Sequence, residues 1–135
     1  MTTANTLVIA QYRHDSDYAD IIGTRYHFPR KYLNMLSLAE VHFLYFEPKK
    51  KGEGVFFGYG QIGSIAPDPN GNSHYFASID TYRSFPDLVS GYNGDGTPIE
   101  TAPYYNAQNA VRRIDSALFH DICRAAGLKL RTWSY

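Results

Sequence analysis

Apolar positions along the chain fall into short runs divided by polar, glycine-bearing stretches, and the spacing inside each run sets the element it predicts. Thr6-Leu7-Val8-Ile9-Ala10 is a short apolar run that predicts a first strand, followed by a polar stretch from His14 to Asp20. Tyr26 to Leu36 reads as a short helix opened by Pro29, because proline is tolerated in a first turn, where its missing N–H costs nothing. Tyr32, Leu33 and Leu36 would then share one face. Val41 to Pro48 is dense in β-formers and closed by a proline that cannot donate to a continuing ladder, so it predicts a central strand. Lys49 to Gly54 is a charged turn, and Val55 to Ile65 is the partner strand. Glycines at 58, 60 and 63 weaken pairing and suit a strand that curls or leaves room for a close neighbour.

Pro67 to Asn72 is a concentrated turn signal, and Tyr75 to Tyr82 follows as a third strand, making a meander. Phe85 to Asn106 has little periodicity and reads as a loop of about 20 residues, a length usually tied to function or disorder. Asp115 is a good N-cap for a helix carrying Leu118, Phe119, Ile122, Cys123 and Ala126 at helical spacing, with Gly127 placed to end it. Ile114 and Phe119 would form a hydrophobic staple across its start. Leu128 to Trp133 predicts a short last strand. Strands dominate, with a helix near each end. The expected class is therefore α+β: a small β-barrel of mostly antiparallel, bent strands with short flanking helices.

A length of 135 residues suits one domain spanning 1–135. No run approaches the ~20 apolar residues of a membrane-spanning helix. Met1 to Asn5 lack the features of an export signal, and Cys123, the sole cysteine, has no partner for a disulfide or a cysteine zinc site. A reducing cytoplasm is the expected setting. Thirteen basic side chains balance thirteen acidic ones, which argues against strong non-specific binding to duplex DNA. Basic residues nevertheless cluster at Arg25, Arg30 and Lys31, at Lys49 to Lys51, and at Arg112 and Arg113.

Catalytic signatures are absent: no phosphate-binding loop, no zinc-protease helix. Gly58-Tyr59-Gly60-Gln61-Ile62-Gly63 has the letters of a dinucleotide fingerprint, but it lies within a strand pattern and a turn stands where the helix should follow, so no cofactor is expected. Five histidines are scattered without metal-ligand spacing, and no metal is expected. Cys123 sits on the apolar stripe of its helix as a packing residue. Twelve tyrosines, eight phenylalanines and one tryptophan give the chain its character. Most of these rings suit packing between strands, yet several stand beside polar and basic groups. Tyr26, His27, Phe28 and Tyr32 surround a basic turn, Tyr45 and Glu47 end a strand, and Tyr59 alternates with Gln61. An unpaired base is held by such a set: rings to stack on, polar groups to read its edge, cations on the flanking phosphates.

Tyr26 to Leu33, Phe43 to Pro48, Tyr59 to Ile65, His74 to Ile79 with Tyr82 and Phe85, and Gln108 to Ile114 occur in an order that resembles the EVE-like domain of the PUA-like superfamily. Such domains stand beside HNH nucleases in modification-dependent restriction systems; the similar core covers about residues 23–127. The resemblance implies a PUA-like barrel that extrudes a modified base into an aromatic cage. Its implied pocket residues are Tyr26, His27, Tyr32, Tyr45, Glu47, Tyr59 and Tyr82, and Arg25, Arg30, Lys31, Lys49 and Lys50 would face phosphates. The implied partner is nucleic acid, modified DNA ahead of RNA, with cleavage supplied by a separate nuclease subunit. Two other readings stay open: a hydrolase or nuclease of ASCH-like type with His27 and Glu47 as its acid–base pair, and a protein-interaction module built on the long loop. Packing and hydrogen bonding inside the barrel would account for about half of these residues without any ligand.

Overall fold

A computed structural model describes residues 5–13, 21–71 and 73–129. Its centre is a six-stranded sheet built from β1 (Asn5–Ala10), β2 (Arg25–Pro29), β3 (Val41–Glu47), β4 (Val55–Pro67), β5 (His74–Ser90) and β6 (Val111–Arg113). The strand order is β2-β5-β4-β3-β1-β6. All neighbours run antiparallel except β1 and β3, which are parallel, so the sheet is mixed. It curls into a half-barrel whose edges are β2 and β6.

Two helices cover its two faces, and that explains the sequence pattern of the middle strands. A 3-10 turn at Arg30–Tyr32 leads into α1 (Leu33–Leu36), which packs with Leu7, Ile9, Val41, Phe43, Tyr45 and Phe57. On the other face α2 (Ser116–Ala125) lays Phe119, Ile122 and Cys123 over Val8, Leu44, Phe46, Phe56 and Tyr59. A strand buried on both faces has no reason to alternate, and β3 is buried at every position. The side chain of Asp115 accepts the Ala117 N–H at 3.2 Å, as a cap should, and Gly127 takes a φ of +84° just past the helix end. Ile114 and Phe119 join the same apolar cluster, consistent with a staple.

Three expectations need correction. Arg25–Pro29 is a strand, because Tyr26 and Phe28 alternate with His27 and pair with Ala77 and Tyr75 on β5; the helix begins only after Pro29. The third strand does not stop at Tyr82 but runs to Ser90, so the long loop starts at Gly91 instead of Phe85. Leu128 and Lys129 carry no strand, and the rest of the expected last strand lies outside the described residues, as does the stretch from His14 to Asp20. Among the described residues, no helix is long and apolar enough to cross a membrane.

Candidate functional site

The glycines of β4 produce the curl that their placement predicts. Pairing with β3 slips between Tyr45 and Phe46, so Phe57 is an extra residue between Phe56 and Gly58. Pairing with β5 slips at the same point: Phe56 meets Val89 and Gly58 meets Ser84, leaving Phe85 to Leu88 as an excursion opposite one residue. Pro86 has no N–H to give a ladder, and the Asp87 N–H bonds instead to the carbonyl of Ala126 at the end of α2. Facing bulges in two adjacent strands re-aim side chains and open the sheet locally.

The opening is a cleft of about 260 Å³ on the α1 face, lined by Arg13, Ile22, Phe57, Tyr82, Ser84, Phe85 and Leu88. Phe57 stacks on Tyr45 with centroids 5.2 Å apart and planes 3° from parallel, which fixes the Phe57 ring; it is 5 % exposed and borders the cleft with little of its surface. Tyr82 meets Tyr45 edge-on at 5.7 Å. Its ring lies across Gly58, where an added Cβ would come within 2.7 Å of the hydroxyl, and against Gly23, which has a φ of +79°. The Tyr45 hydroxyl accepts the Gly23 N–H at 3.2 Å and so ties the segment carrying Ile22 over the cleft. Leu88 is 46 % exposed and forms an apolar lip.

Arg13 supplies the cleft's polar edge, its charge balanced by Glu47 at 2.8 Å and by Glu53 at 3.6 Å. The carboxylate accepts the Arg13 backbone N–H at 3.1 Å, its Nε at 3.1 Å and its Nη2 at 2.8 Å, and also accepts the Glu53 N–H. The Arg13 hydrogen bonds hold the buried Glu47 carboxyl down to about 2, so the pair is ionised at neutral pH. The guanidinium stands 6.0 Å from the Phe57 ring centre, with two of its five N–H donors engaged by Glu47.

Of the residues singled out in the sequence, Tyr45, Glu47 and Tyr82 are brought together here. The others are not. Tyr26 is 5 % exposed and packs in the core beside Phe28. Tyr32 is a clasp: its hydroxyl accepts the Ala110 N–H at 2.9 Å, joining the turn after β2 to the lead-in of β6, the opposite edge of the sheet. Tyr59 lies on the α2 face, its hydroxyl 2.7 Å from His42 Nδ1, with Gln61 beside them. Burial pushes Tyr59 up to about 12 and His42 down to about 4. His27 sits on β2, paired with Asp68 at 3.0 Å and stacked on His74.

Register separates the cations as well. Arg25 lies opposite Ser78, and the Arg30 N–H bonds Ser73, beside the β4–β5 turn, with Lys31 next in the chain. Lys49 and Lys50 belong to the β3–β4 turn, at the other end of β4. Thirteen residues of strand at roughly 3.3 Å each lie between the two groups. Glu47 pairs with Val55, which faces Ser90, whereas His27 faces Phe76, so the expected acid–base pair is split along the length of β5.

No family model, curated protein or solved structure matches the chain. The site therefore rests on its own geometry. Arg13, Phe57 and Leu88 escaped the sequence reading, yet two signals mark the place: the Phe56-Phe57 doublet breaks alternation before a glycine, and Phe85-Pro86 puts a proline inside a strand.

Proposed function

We propose that this chain is a nucleic-acid reader of the PUA-like, EVE-like kind, which seats a flipped, modified base in the cleft between Phe57 and Tyr82. The carrying observation is the cleft at the facing bulges, lined by Phe57, Tyr82 and Phe85 and bordered by an anchored guanidinium. A flipped base needs a ring to stack on, a polar group at its edge and a cavity small enough to exclude larger ligands. The cleft, about 260 Å³ and open at its rim, leaves room for a planar group. Modified DNA is the favoured partner, with Lys49 and Lys50 at the cleft's end of the sheet facing the flanking phosphates. Arg25, Arg30 and Lys31 would meet a more distant stretch of the same strand. The hydrolase reading loses support from the separation of His27 and Glu47.

Fluorescence anisotropy with labelled oligonucleotides carrying 5-methylcytosine, 5-hydroxymethylcytosine, N6-methyladenine or no modification tests the proposal. One modified strand is expected to bind at least about tenfold tighter than the plain one, a difference of about 1.4 kcal/mol. Equal affinity for all four strands would remove the reading.

A further inference from the structure

The opposite face carries a second cleft, formed where the loop after β5 folds back on the β3–β4 turn. It measures about 190 Å³, and its lining includes Phe46, Lys49, Lys50, Tyr92, Tyr105 and Arg112. Arg112 is buried and fully committed: Nε and Nη2 donate to the two oxygens of Glu100 at 2.7 and 2.5 Å, and the guanidinium lies between the rings of Phe46 and Tyr105. That pair cancels its own charge and locks Tyr105 and the loop against the sheet. The base of the cleft is therefore neutral and ring-lined.

Positive charge is left at the mouth. Lys49 and Lys50 are exposed, and among the described residues neither joins an ion pair. The Lys49 ammonium leans over the Tyr92 ring at 5.1 Å. Rings inside and cations at the rim impose an order on any ligand: a planar group enters first and an anionic group stays outside. The volume admits one ring system and little more.

We propose that this cleft is a second ligand site, which takes a planar ring carrying an anionic group, with a nucleoside monophosphate the simplest ligand of that chemistry. It takes its rings from the other face and shares only Lys49 and Lys50 with the proposed reader, so Tyr92 and Leu88 tell the two sites apart.

Isothermal titration calorimetry of the whole chain with adenosine 5′-monophosphate, cytidine 5′-monophosphate, adenosine and inorganic phosphate tests it. At least one monophosphate is expected to bind at millimolar concentration or below, with adenosine and phosphate each about tenfold weaker or more. The exposed double variant Lys49→Glu/Lys50→Glu and the variant Tyr92→Ala should each weaken the monophosphate about tenfold, while Leu88→Ala, on the other face, leaves it within about twofold. Three results would overturn the site: neither monophosphate binding, inorganic phosphate binding as well as the nucleotide, or a monophosphate affinity that follows Leu88 and ignores Tyr92. Loss of oligonucleotide preference with monophosphate binding intact would sink the reader and leave this site standing.

Discussion

Phe56 on one face of the sheet and Phe57 on the other are chain neighbours with the same ring, yet they meet different surroundings. On the α2 face a ten-residue helix lays Phe119 and Ile122 in the cluster around Phe56, which is fully buried. On the α1 face the facing bulges lift β5 away, and the Tyr45–Phe57 stack ends at an opening. Ring content does not decide where a ligand can enter. Strand pairing and cover do: a helix laid over the sheet gives a core, and one residue opposite four leaves a cleft.

That contrast breaks most visibly when the closed face is cut. Phe119→Ala, at a fully buried position, is expected to cost about 4 kcal/mol in urea denaturation while the affinity for modified strands, measured on the folded fraction, stays unchanged. A cost below about 1 kcal/mol would mean that α2 is not what seals that face.

Acid should separate the faces next. Burial, with a further contribution from neighbouring His120, holds the His42 imidazole at about 4 against an ordinary 6.5. The unfolded chain takes up this proton before the folded chain does, so the stability is complete above about pH 6.5, declines as pH falls towards 4, and levels off below. The expected loss is about 3 kcal/mol, read from denaturation midpoints between pH 7 and pH 4. Glu47, held at about 2, gives up its contribution only below about pH 4.5. His42→Gln should shrink the upper stage and spare the lower one; a single acid transition in both proteins would contradict the assignment.

Smaller changes sharpen the open face. Gly58→Ala forces Tyr82 aside, with an expected cost of about 2 kcal/mol and a fall in oligonucleotide affinity. Leu88→Ala removes an exposed lip and should move stability by no more than about 0.5 kcal/mol, yet reduce selectivity for the modified strand. Unchanged selectivity in both variants would place recognition elsewhere.

Much of this architecture is written locally in the chain. β3 and α2 are legible because β-former density, Asp115 and Gly127 act over a few residues. β2 was hidden because five residues give too little alternation, and Pro29, read as the opening of a helix that included Tyr26, stands at the boundary between strand and turn. The extension of β5 past Phe85 is set by Phe56 and Val55 on the partner strand, which no local pattern reveals. The same holds for the cleft. Tyr45, Glu47 and Tyr82 stand out as polar-tipped residues near strand ends, whereas Phe57 and Leu88 matter only because two irregularities coincide, and Arg13 only because β1 runs beside β3.

That placement of β1 has a consequence for how the molecule is made. It lies between β3 and β6, and the Thr6 hydroxyl bonds the carbonyl of Ile114, a contact reaching across 108 residues. During synthesis the sheet stays unfinished until β6 has left the ribosome, and slow closure is the rule for such distant partners. Until then one side of β1 is an unpaired edge, the surface most exposed to aggregation and to capture by chaperones.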